Sequence, residues 1–146
     1  MRSQTPDTLR PKRATGPILL AEDDVELRSL LGSLLRSDGY EVVEVRNGSE
    51  LLSYIAASLM YGARYVEPSL ILTDVQMPGP SGLEVIHALK RTSYRAPLVV
   101  MTAFGTDETR RRARELGAAA VLDKPFELQT LRELVQNLAP IAAPAD

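Results

Sequence analysis

Five polar side chains stand at the ends of short apolar runs. Glu22 and Asp23 follow Ile18-Leu19-Leu20-Ala21, and Asp74 follows Leu70-Ile71-Leu72-Thr73. Thr102 closes Pro97-Leu98-Val99-Val100-Met101, and Lys124 stands just beyond Ala118-Ala119-Ala120-Val121-Leu122. Taken singly, none is unusual; Asp74 heads a turn, and an acid there commonly caps the turn or the next helix. Taken together, they suit one chemistry. Crowded carboxylates repel, which raises a pKa or calls for a cation. Oxygen ligands without His or Cys suit a hard ion, and a few protein ligands with room for water suit Mg²⁺ over Ca²⁺. Lys124 supplies a point charge for an anion and Thr102 a hydroxyl. A carboxylate attacking phosphorus to give an aspartyl phosphate fits this set. Asp74, the most central of the acids, is the best nucleophile.

These groups meet only if the apolar runs lie side by side in one direction. A run of this length reads as a strand buried on both faces. Between the runs lie helical patterns. Asp24 can cap a first helix with Leu27, Leu30, Leu31, Leu34 and Leu35 inward and Gly39 as its C-cap. Glu41 to Val45 is a second strand, and Asn47-Gly48 a turn. Leu51, Leu52, Ile55, Leu59 and Met60 line a second helix, and Gly62 to Pro68 form a loop. Ser81 and Glu84 have capping-box spacing, which starts a third helix reaching about Ser93. Thr106 or Asp107 opens a fourth helix that stops at Gly117, and a fifth helix carries Leu128, Leu131, Leu134, Val135 and Leu138. Strand and helix thus alternate five times, which predicts an α/β fold with a parallel sheet, helices on both faces and right-handed crossovers. All strand ends then share one edge, where such sheets bind ligands.

Composition narrows the class. The chain has 146 residues, 45% hydrophobic and 25% charged, with net charge −2 and no cysteine. That excludes disulfides and thiolate metal sites, and gives no basic signal for nucleic acid or for a membrane surface. No apolar stretch is long enough to span a bilayer, and the basic start lacks the apolar core of a secretory signal. The expectation is a cytoplasmic protein with an N-terminal extension over 1–16, one domain over 17–138 and a tail over 139–146, the two ends disordered.

The motifs resemble the receiver domain of bacterial two-component response regulators. They are Ile18-Leu19-Leu20-Ala21-Glu22-Asp23-Asp24, Leu72-Thr73-Asp74-Val75-Gln76-Met77-Pro78-Gly79-Pro80-Ser81-Gly82, Val99-Val100-Met101-Thr102-Ala103 and Asp123-Lys124-Pro125-Phe126. The resemblance covers roughly Pro17 to Leu138. It implies a doubly wound, flavodoxin-like (CheY-like) sheet of order 2-1-3-4-5. It implies that Asp74 accepts a phosphoryl group from a sensor histidine kinase or a histidine phosphotransfer protein. Glu22, Asp23, Asp74 and the backbone carbonyl of Gln76 would hold Mg²⁺. Thr102 and Lys124 would contact the phosphoryl oxygens, and the Lys124-Pro125 bond would be cis. The protein would be a stand-alone response regulator rather than a conventional enzyme. It would signal by relaying the group or by contacting a downstream protein through its fourth helix, fifth strand and fifth helix.

The sequence departs from the family pattern at three places. The position three residues before the lysine, usually aromatic, is Val121, which offers Thr102 no ring to couple to. Phe104 is bulky two residues after Thr102, and the stretch 51–68 is longer than typical. Two rival readings remain. An Asp-nucleophile phosphatase of the haloacid-dehalogenase kind needs a second acid where this chain has Gln76. A receiver-like module working without phosphorylation would not need the intact Glu22, Asp23, Asp74, Thr102 and Lys124. His87 reads as a partly exposed helix residue, the Leu128 to Leu138 stripe as core, and Arg110, Arg111, Arg112 and Arg114 as a solvated basic face.

Overall fold

The computed structural model describes residues 16–61 and 67–141. Residues 1–15, 62–66 and 142–146 lie outside the described residues, and with them most of the expected tails and part of the long 51–68 stretch. The described chain runs β1 (Ile18–Ala21), α1 (Val25–Ser37), β2 (Val42–Val45), α2 (Gly48–Met60), β3 (Leu70–Asp74), α3 (Gly82–Leu89), β4 (Leu98–Thr102), α4 (Asp107–Glu115), β5 (Ala120–Asp123) and α5 (Leu128–Leu138). The five strands are all parallel, in the order β2-β1-β3-β4-β5 of a CheY-like α/β fold.

β1, β3 and β4 sit inside the sheet and are buried along their whole length. Their alternate side chains feed two cores. Ile18, Leu20, Leu72 and Met101 pack with Leu31 and Leu35 of α1 and with Leu131 and Val135 of α5. Leu19, Ile71 and Val100 pack with Leu51 and Ile55 of α2 and with Val85 and Ile86 of α3. The helices start where side chains can take up free amides. Asp24 accepts from the Leu27 amide at 3.1 Å, Asn47 from Glu50 at 2.8 Å and Thr106 from Thr109 at 3.1 Å. Ser81 and Glu84 form the full capping box. Gly39 closes α1 at φ +101°, a left-handed geometry that a side chain would resist.

Some expectations need correction. Leu30, Leu59 and Met60 point outward, 50%, 44% and 71% exposed, and Leu128, expected in the core stripe of the fifth helix, is exposed at its start, because the buried stripe of each helix is narrower than its run of apolar residues. On α3 the sequence spacing points Leu83, Ile86 and Leu89 inward, and Val85 is fully buried as well. α3 stops at Leu89 rather than near Ser93. Beyond it the Arg91 and Thr92 amides reach back only three residues, to Ala88 and Leu89, and the Thr92 hydroxyl also donates to the Leu89 carbonyl. β5 begins at Ala120 and includes Asp123, which pairs with Thr102. Ala139 is buried and its carbonyl accepts from the Tyr40 hydroxyl at 2.7 Å, so α1 and α5 are tied at their ends. Among the described residues no helix is long and apolar enough to cross a membrane.

Candidate functional site

Parallel register delivers the strand ends to one edge. Glu22 continues β1, its amide donating to the Val45 carbonyl at 3.2 Å. Asp74 ends β3 beside Met101 of β4. The turn after Asp74 folds back tightly: the Gly82 amide donates to the Val75 carbonyl at 3.0 Å. A Cβ at Gly82 would come within 2.5 Å of the Asp74 carbonyl oxygen, so no larger residue fits there unmoved.

The acids meet as the sequence suggests. One carboxylate oxygen from each of Glu22, Asp23 and Asp74 lies within 4.8 Å of the others. Glu22 and Asp74 are buried and Asp23 is exposed. Lys124 Nζ donates to Glu22 Oε1 and to Asp74 Oδ2, each at 2.5 Å. The other oxygens are held as well. The Asp24 amide donates to Glu22 Oε2 at 3.1 Å, and the Gln76 amide to Asp74 Oδ1 at 2.9 Å. Gln76 is therefore placed beside Asp74 by its backbone. Thr102 is buried on the same edge, but its hydroxyl accepts from the Phe104 amide at 3.2 Å. Its carbonyl accepts from the Lys124 amide at 2.7 Å, which links β4 to the lysine. The Lys124-Pro125 bond is cis.

The charges explain the perturbed groups. Burial pushes the Glu22 carboxyl up to about 7, although the Lys124 hydrogen bond and the Asp24 amide pull it down. Burial alone would lower the Lys124 ammonium, but its bonds to Asp74 and Glu22 more than offset this, so its pKa is raised and it stays charged. Three carboxylates against one ammonium leave two formal negative charges at the edge. An all-oxygen donor set with that surplus fits a divalent hard cation.

Residues 18–136 match the response regulator receiver domain. The chain belongs to this family. The receiver domain is similar to sporulation initiation phosphotransferase F of Bacillus subtilis (strain 168), with 27% identity over 124 residues, covering 85% of this chain and 94% of that protein. It is also similar to the transcriptional regulatory protein CpxR of Escherichia coli (strain K12), with 36% identity over 124 residues, covering 85% of this chain and 48% of that protein. It thus spans nearly all of the first relative but about half the length of the second. The Mn²⁺-bound form of response regulator Rcp1 has the same fold, with a TM-score of 0.71 and 27% identity over 89% of this chain and 99% of that one.

Two contacts of the receiver domain's edge were not read from sequence. Arg28 Nη1 donates to the Glu22 carbonyl at 2.8 Å. Arg110 donates from Nη1 to both Asp123 oxygens, at 2.9 and 3.1 Å, and to the Gly105 carbonyl at 3.2 Å. Arg110 is one charged residue on a helix full of them, and Arg28 is one of three on α1, so nothing local marks either contact. Val121 is half-buried, Phe104 is 72% exposed in the loop after β4, and His87 is exposed on α3.

Proposed function

We propose that the chain accepts a phosphoryl group on Asp74 from a phosphohistidine of a sensor kinase or phosphotransfer protein, with Mg²⁺ held by Glu22, Asp23, Asp74 and the Gln76 carbonyl. The observation that carries this reading is the pairing of Asp74 with both an acidic neighbourhood and a half-buried ammonium. Asp74 Oδ2, once Lys124 moves off it, attacks phosphorus, the bond from phosphorus to the donor nitrogen breaks, and a carboxyl–phosphoryl anhydride forms. The departing imidazole is neutral once it keeps or regains its ring proton from solvent. The metal, when bound, neutralises charge on the transferring oxygens. Lys124 is already bonded to Asp74, so its ammonium need move only a short way to reach the incoming phosphoryl oxygens. The Thr102 hydroxyl, on the adjacent strand end, turns from the Phe104 amide to the same group. The state of the site passes on by protein contact or by relay of the phosphoryl group.

The test is direct. Incubation with acetyl phosphate and Mg²⁺, followed by intact mass, should show one added phosphoryl group that Asp74→Ala abolishes and chelation of the metal prevents. No added mass with either a small-molecule donor or a phosphorylated histidine protein would favour a binding module that works without phosphorylation.

A further inference from the structure

Asp23 is the exposed acid of the group. The peptide plane leading into Asp23 carries the Glu22 carbonyl. That carbonyl stands just past the end of β1, and Arg28 of α1 donates to it at 2.8 Å. Arg28 also directs Nε at Glu44 Oε1, 3.6 Å away on β2. Glu44 is held in turn by Arg36 Nη1 at 2.8 Å on its second oxygen. Arg28, Gly32 and Arg36 are four residues apart on α1 and share one face. Gly32 is what lets the carboxylate lie on that face: a Cβ there would come within 2.6 Å of Glu44 Oε2. The planar guanidinium can serve a carbonyl and a carboxylate at once in a fixed orientation, which an ammonium cannot.

We propose that Arg28 is a positioning residue for the cation site: it aims the Glu22–Asp23 peptide so that the Asp23 carboxylate faces Asp74, and Glu44 holds its guanidinium in place. The inference rests on the reading that Glu22, Asp23 and Asp74 bind a divalent ion.

Sign separates this role from a simple charge effect. Removing a positive charge near a dication should tighten cation binding by Coulomb's law; removing the positioning contact should weaken it. The probe is Mn²⁺, its Kd measured by EPR titration of the full chain. Asp23→Ala serves as the non-binding control, and melting in EDTA checks that each variant is folded. Arg28→Met should raise the Kd roughly tenfold, the low end of what outer-shell partners contribute. Arg28→Lys should fall between it and wild type. Glu44→Gln should weaken binding about threefold on the same scale. Arg36→Met, which touches Glu44 but not Glu22, should change the Kd by less than about twofold at a comparable melting temperature. An unchanged or tighter Kd in folded Arg28→Met, beside a wild type that binds and an Asp23→Ala that does not, overturns the proposal. If Arg28→Met does not fold, an unchanged Kd in Glu44→Gln overturns it. A wild type that fails to bind Mn²⁺ overturns the cation reading itself, and the positioning role with it.

Discussion

Glu22 has no exposed surface, and yet the proposed cation site needs it as a carboxylate. Burial is the largest influence on it and pushes its pKa from 4.5 up to about 7. Between those values the folded chain holds a proton that the unfolded chain has released. This group's contribution to stability is therefore greatest on the acid side and falls as pH rises through 7. Cation binding runs the other way, because the ligand must be ionised. Lowering pH below 7 should weaken Mn²⁺ binding by up to about tenfold per pH unit for one displaced proton. Titration at pH 8 and pH 6 measures it, and a flat profile would count against Glu22 as a ligand. Lys124 gives a second prediction. Lys124→Met leaves Glu22 and Asp74 buried with no cation, and should cost roughly 3 kcal/mol in urea unfolding at pH 8. The loss should be smaller at pH 6, where Glu22 can take up a proton; equal losses at both pH values would contradict the argument. The identities of these residues were legible because each ends an apolar run. The lysine bridge between two acids was not, since it depends on how far a side chain reaches across the sheet from β5.

Among the helices, α4 is the least anchored by packing, with only Ala113 fully buried. Polar contacts hold its start instead. Thr106 caps it, and Arg110 reaches Asp107 at 2.8 Å as well as Asp123 and the Gly105 carbonyl. Arg110 thus joins the loop after β4 to the end of β5, one residue before Lys124. Exposed ion pairs contribute little globally, so Arg110→Met should change unfolding stability by less than about 1 kcal/mol. Locally it should matter more: amide hydrogen exchange over 105–110 should speed up relative to the rest of the chain. Unchanged exchange there would mean that the capping residue alone holds the helix. The sequence presents Arg110, Arg111, Arg112 and Arg114 as one basic face. The other three are indeed exposed, while Arg110 is half-buried. Telling them apart requires knowing that β5 lies beside α4, a fact of topology and not of helical period. The outward turn of Leu30, Leu59 and Met60 has a similar source, because an apolar run shows which residues could be buried but not how wide the facing sheet is.

At the scale of the whole molecule, a parallel sheet gathers like charges on purpose-built ground. Strand ends that are far apart in sequence share one edge, and here that edge holds three acids and one lysine. The alternation of strands and helices makes this convergence legible in the sequence. The supporting links from Arg28 and Glu44 are not, because they join a helix to an edge strand whose place beside β1 the alternation alone does not set. Above pH 7, where Glu22 ionises, the surplus of negative charge makes the folded state more repulsive than the unfolded one, in which the acids separate. A divalent cation that binds only the assembled edge should reverse this. At a concentration of one hundred times Kd it should stabilise the fold by about 2.7 kcal/mol. For a domain of this size that is a rise in melting temperature of roughly 5–10 °C. Asp23→Ala should lose most of the shift while keeping a normal melt in EDTA, since its own carboxylate is exposed and its loss removes repulsion without opening the core. Sodium chloride at matched ionic strength separates the two origins of any shift. Screening of surface charge would be reproduced by the monovalent salt, whereas a bound dication would not, so an equal rise in both salts would remove the case for a metal at this edge.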